Sequence, residues 1–82
     1  MGLYFLSYDL RAAKNYEQLY EGLTAFSAIR VLESLWCFNR FNTNAEGLVD
    51  YFRGFIDSDD GLSVVEVNDW ASYNASGTPH DL

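Results

Sequence analysis

One cysteine, one histidine, one proline and five basic residues are all that these 82 residues hold of each kind. Each scarcity excludes something. With Cys37 alone, no disulfide can form within the chain. His80 is the sole histidine and lies near the C-terminal end, so zinc has no Cys/His ligand set and Cys37 has no histidine to activate it as a protease nucleophile. No apolar run approaches the roughly 20 residues that a membrane span needs. The opening stretch Met1-Gly2-Leu3-Tyr4-Phe5-Leu6 has no basic segment and no small-residue cleavage site, so it does not read as a signal peptide. Leu6 stands where a myristoylation signal requires Ser or Thr. There is no glycine-rich phosphate loop and no serine nucleophile elbow. A lone thiol without a leader fits a reducing cytoplasm.

What the chain has in quantity is apolar surface and negative charge. Apolar residues make up 49% and aromatics 17%, with six Tyr, six Phe and two Trp, too hydrophobic for a disordered chain. Twelve acids against five bases give a net charge of −7. Nucleic-acid binding rests on neutralising phosphates with Lys and Arg, so this balance disfavours nucleic acid without excluding it; it suits solubility or a protein partner. A single domain of this length buries only about 60–65% of the surface its unfolded chain exposes, which leaves a monomer marginal. With disulfide and zinc gone, association is the remaining source of stability.

Strand signals appear at Leu3–Tyr8, at Ile29–Leu32 and Leu35–Arg40 either side of Glu33-Ser34, and at Leu62–Val67. Helices are expected from Asn15, with Gln18 completing a capping box and Tyr16, Leu19, Tyr20, Leu23 and Phe26 on one face, and from Thr43, with Glu46 as its box partner and Leu48, Phe52, Phe55 and Ile56 on one face. Tyr16 and Tyr20 read as core residues rather than a base-stacking platform. Asp57-Ser58-Asp59-Asp60-Gly61 reads as a turn. It is not a calcium loop, because its glycine comes one position early and Asn68 occupies the place of the closing Glu.

The order strand, helix, strand, strand, helix, strand is that of an α+β ferredoxin-like plait, a four-stranded antiparallel sheet with both helices on one face. Residues 1–70 form this domain and residues 71–82 a polar C-terminal tail with a mobile end. Such a sheet should be polar on its helix-free side, yet Leu3 and Phe5 oppose Tyr4, Leu6 and Tyr8, while Leu35 and Cys37 oppose Trp36 and Phe38. Two helices cover one face only, so a second copy of the chain is expected to cover the other. Tyr4, Leu6, Tyr8 and Trp36 are the expected contacts of this homodimer, with Trp70 and Tyr73 reaching across from the tail.

Tyr8-Asp9-Leu10, Leu32-Glu33-Ser34-Leu35-Trp36 and Asp60-Gly61-Leu62-Ser63-Val64-Val65-Glu66-Val67 before Trp70 resemble the SinR-like proteins. These are part of the wider group of the CRISPR-associated adaptation proteins (the Cas "two" family) and the VapD ribonucleases of toxin–antitoxin type. The resemblance spans about residues 3–70. It implies a ferredoxin-like homodimer in which an Asp ending the first strand, here Asp9, faces its symmetry mate. In active relatives that pair holds a divalent metal, magnesium or manganese, that cuts phosphodiesters; other relatives are non-catalytic scaffolds.

Two carboxylates and water suit magnesium chemically. Asp9 is therefore the candidate catalytic and metal-binding residue, with Ser7 as an outer-shell group and Arg11 and Lys14 placed to hold a substrate phosphate. The alternative is structural: an Asp at a strand end accepts hydrogen bonds from the turn that follows. Two functions compete. One is a non-catalytic homodimeric scaffold or regulatory module that binds protein, which the charge favours. The other is a metal-dependent endoribonuclease, which the resemblance favours.

Overall fold

The structure, a computed structural model, describes residues 2–12 and 15–82. Strand β1 runs Gly2–Asp9, helix α1 Glu17–Ala25, β2 Ile29–Leu32, β3 Leu35–Arg40, α2 Ala45–Phe52 and β4 Gly61–Val67, with single 3-10 turns at Arg53–Phe55 and Pro79–Asp81. The two middle strands fall on the expected residues. Their separation at Glu33-Ser34 follows from a hairpin whose ladder shifts by one residue between Arg30 and Leu32.

Both helices start later than expected. Asn15 does not cap α1 directly; its Oδ1 accepts the Glu17 N–H at 2.8 Å, and Tyr16 stands at the cap position without a side-chain bond. At α2 the cap is Asn44 rather than Thr43, its Oδ1 accepting the Gly47 N–H at 2.8 Å. An amide oxygen reaches the first-turn donors as a hydroxyl does, so neighbouring Asn and Thr residues compete for the position.

The chain is α+β: a four-stranded antiparallel sheet of order β2-β3-β1-β4 with two helices, compatible with a ferredoxin-like fold. Register decides which side chains share a face. Tyr4 opposes Phe38, and Leu6 opposes both Trp36 and Val64. These residues, with Tyr8, form one buried cluster with Leu19 and Leu23 of α1 and Leu48 and Phe52 of α2. Tyr4, Leu6, Tyr8 and Trp36, expected at a subunit interface, thus lie inside the protomer beneath its own helices. The alternation holds but the helices cover the opposite face from the one expected, because both faces carry large apolar residues and only register shows which the helices take.

The helix-free face carries Ile29, Cys37, Phe5 and Val65 in one row across all four strands. Its two halves differ. On the β2–β3 half Cys37 and Val31 are fully buried although neither belongs to the helix-side cluster. The C-terminal segment accounts for this: the Ser76 N–H donates to the Val31 carbonyl at 2.9 Å, and Gly77 is buried against Ile29 and Arg30. Thr78 and Asp81 form a capping box around the last 3-10 turn, and Trp70 meets His80 edge to face at 5.0 Å. The segment expected to be mobile is therefore docked on the chain's own sheet. On the β1–β4 half Leu3, Phe5 and Val67 are partly buried and Val65 is 49% exposed.

Phe38 is fully buried, touches the rings of Tyr4, Phe26 and Phe52, and sits where sheet and both helices meet. Phe38→Ala should cost about 3–5 kcal/mol in urea denaturation, whereas Val65→Thr should stay within about 0.5 kcal/mol in the monomer.

Candidate functional site

Asp9 is the last residue of β1 and pairs with Gly61, while Ser7 pairs with Ser63. Successive residues of a strand alternate faces, so Ser7, Asp9 and Ser63 share the helix-free side and line one shallow depression. The Asp9 carboxyl is 71% exposed. Its Oδ2 accepts the Arg11 Nε–H at 3.0 Å, and Arg11 Nη1 donates to the Asp59 carbonyl at 3.0 Å. Arg11, expected to hold a phosphate, bridges two protein oxygens with its side chain 57% exposed. Lys14 lies outside the described residues.

Asp60, by local pattern only a turn residue, fixes this corner. Its Oδ1 accepts the Arg11 N–H at 2.6 Å and the Ala12 N–H at 3.2 Å, and its Oδ2 accepts the Asp57 N–H at 2.8 Å. Burial alone would raise its pKa. The bonds from Arg11, Tyr16, Asp57 and Ala12 outweigh that and hold the carboxyl down at about 2. One side chain therefore ties the loop after β1 to the turn before β4. The Arg11 and Ala12 donors lie 49 and 48 residues away along the chain, beyond the reach of local pattern.

Behind Asp9 lies a second polar knot. The Tyr8 hydroxyl donates to the Glu33 carbonyl at 3.0 Å and accepts Trp36 Nε1–H at 3.2 Å and Arg30 Nη2–H at 3.3 Å. The Arg30 guanidinium lies 5.4 Å from the Tyr20 ring centre and 5.3 Å from that of Trp36, a cation–π pairing. Burial raises the Tyr8 pKa, partly offset by the Trp36 hydrogen bond, so the hydroxyl stays protonated and acts as a structural bridge.

A divalent ion finds little to hold it in one protomer. Among the described residues no three or more His, Cys, Asp and Glu side chains come together as a ligand set. Asp9 brings one carboxylate with an arginine already on it, and a guanidinium repels a cation. The residues of a single chain do not fit a magnesium site. Of the other residues expected at an interface, Tyr73 is 89% exposed, while Trp70 contacts His80 within the tail segment.

Tyr8→Phe should lose about 1–3 kcal/mol, because it leaves the Trp36 N–H without its acceptor in a buried setting. For Asp60 the folded pKa lies below the unfolded one, so its contribution is complete above about pH 4 and fades as the pH falls toward 2. Asp60→Asn should flatten the loss of stability over that range, measured by urea midpoints at pH 6 and pH 3. Comparison with known protein families, with curated proteins and with solved structures found no match.

Proposed function

We propose that this chain is a small, acidic, homodimeric protein-interaction module, non-catalytic, built as a ferredoxin-like plait of the SinR-like and Cas "two" type. The strand order β2-β3-β1-β4, with every neighbour antiparallel, supports the plait. Its role is that of a scaffold or regulator in a reducing cytoplasm, with a second copy or another protein as partner.

The observation that carries this reading is the fate of the arginines. Arg11 is held by Asp9 and Asp59, Arg30 by Glu33 and Tyr8, Arg40 lies 3.9 Å from the Phe26 ring centre, and Arg53 stands 4.0 Å from Asp50. All four, though exposed, have a partner within the chain, which carries a net charge of −7. A nucleic-acid groove needs cations free to meet phosphates. The open β1–β4 half of the sheet offers instead a neutral apolar surface beside an edge strand, the kind that proteins bury against one another. A pair of copies meeting there would close surface that the helices leave uncovered.

One observation favours the second reading, a metal-dependent endoribonuclease working with magnesium or manganese. Asp9 is largely solvent-facing at a strand end, beside the hydroxyls of Ser7 and Ser63, where two protomers could bring two such carboxylates together.

Sedimentation equilibrium at micromolar concentration should give twice the 9.3 kDa chain mass, and Val65→Lys should shift the population toward monomer with an unchanged circular dichroism spectrum. A particle of one chain mass would overturn the homodimer. Structured and single-stranded RNA incubated with magnesium or manganese should stay intact. Cleavage lost in both Asp9→Ala and Asp9→Asn would establish the nuclease and remove the non-catalytic module.

A further inference from the structure

We infer that the outer edge of β4 is a docking site for an extended segment of another protein in which basic and apolar residues alternate. This names the partner class of the protein-interaction module and rests on that reading.

The sheet has two edges, and the chain treats them differently. Along β2 the C-terminal segment lies close, with the Ser76 N–H on the Val31 carbonyl. β4 stands last in the order β2-β3-β1-β4, and among the described residues nothing bonds its outer backbone groups. Every second residue of an edge strand turns its N–H and C=O away from the neighbour it pairs with. Such edges are commonly shielded by a proline, a lysine or a bulge. Gly61–Val67 contains neither residue, and its pairing with β1 runs unbroken from Gly61 on Asp9 to Val67 on Leu3. A strand can add along this edge, with main-chain bonds supplying affinity and side chains the choice of partner.

Charge and register choose that partner. Residues 57–69 hold five acids, Asp57, Asp59, Asp60, Glu66 and Asp69, and no base. A second copy pairing here would set the same acids against them, whereas a basic segment meets opposite charge. Alternation places Leu62, Val64 and Glu66 on the helix side of β4, and Ser63, Val65 and Val67 on the other. Glu66 is exposed near the end of the strand. Near its start lies a depression of about 410 Å³, lined by the apolar side chains of Val49, Ile56 and Leu62 and by Asp57 and Asp60. Arg53 also lines it, but stands 4.0 Å from Asp50. A lysine or arginine suits this depression, its methylene stem on the apolar groups and its charged head toward the carboxylates. On the opposite face Val65 is 49% exposed and Val67 partly so, and apolar residues would cover them. Basic on one side and apolar on the other is the period of two that a strand imposes.

The probe is a capped Lys-Val repeat peptide of about eight residues, enough to span β4. Titrated into the full chain at low salt, it should bind at least about tenfold more tightly than the same peptide N-methylated at alternate residues, which keeps the charge and loses the pairing. Glu66→Lys should weaken the unmethylated peptide by about tenfold through charge reversal, with circular dichroism unchanged. At saturation, amide exchange at alternate residues of Gly61–Val67 should slow by about tenfold or more, while Ile29–Leu32 keeps its rates.

Equal affinity for the two peptides, or unchanged exchange in β4, would overturn strand addition and leave only charge attraction. Full affinity in Glu66→Lys, or equal binding of a Glu-Val repeat, would overturn the basic partner. The non-catalytic module fails by a different result, RNA cleavage lost in both Asp9 variants, which the peptide titrations do not read.

Discussion

A sheet that is apolar on both faces needs two covers, and everything else in this small protein is arranged around that need. The helices supply one, over Tyr4, Leu6, Tyr8, Trp36, Phe38 and Val64. Among the described residues there is no third α-helix to supply the other. The chain meets the shortage halfway by folding its C-terminal segment over Val31 and Cys37 and leaving Val65 half exposed. Hydrophobic burial scales with area removed from water, so the uncovered half is where stability remains to be gained. The proposed self-association and the proposed strand addition both draw on that half.

Polar chemistry is gathered at one end of the sheet and is turned inward. Asp60 gathers the backbone donors of Arg11, Ala12 and Asp57; Tyr8 gathers Trp36 and Arg30 and reaches Glu33. These two knots hold the loop after β1 and the hairpin after β2 to the sheet. Asp9 stands between them with Arg11 on its carboxylate. In that setting Asp9 serves the corner it sits in, as a strand-end Asp commonly does. Any catalytic use of it must first displace an arginine that also bonds the neighbouring turn. Exposed ion pairs of this kind are weak, worth up to about 1 kcal/mol, so the obstacle lies in the absence of further ligands more than in the pair.

Why so acidic a chain would hold its arginines against its own surface groups follows from the same geometry. Arginine lies flat on aromatic rings while keeping its donors for carbonyls, and this sequence has rings in abundance. Arg30 on Tyr20 and Trp36, and Arg40 on Phe26, spend positive charge on packing. Exposed as they are, these arginines are met by groups of the chain itself.

The sequence by itself determined the elements and their kinds. Ile29–Leu32 and Leu35–Arg40 were legible because short-range alternation and the Glu33-Ser34 break are local properties, and the two helices because apolar spacing of three and four residues is one too. Asp9 at the end of the first strand was legible for the same reason. Tertiary structure decided what depends on contacts distant along the chain. It chose which of two equally apolar faces the helices would take, since alternation marks two faces without naming them. It made Asp60 an anchor through donors 48 and 49 residues away, and it seated Gly77 on β2, where only a residue without a Cβ fits. It also turned Arg11 from a free cation into a partner of Asp9 and Asp59. Local pattern fixes what a segment is; only packing fixes what it lies against.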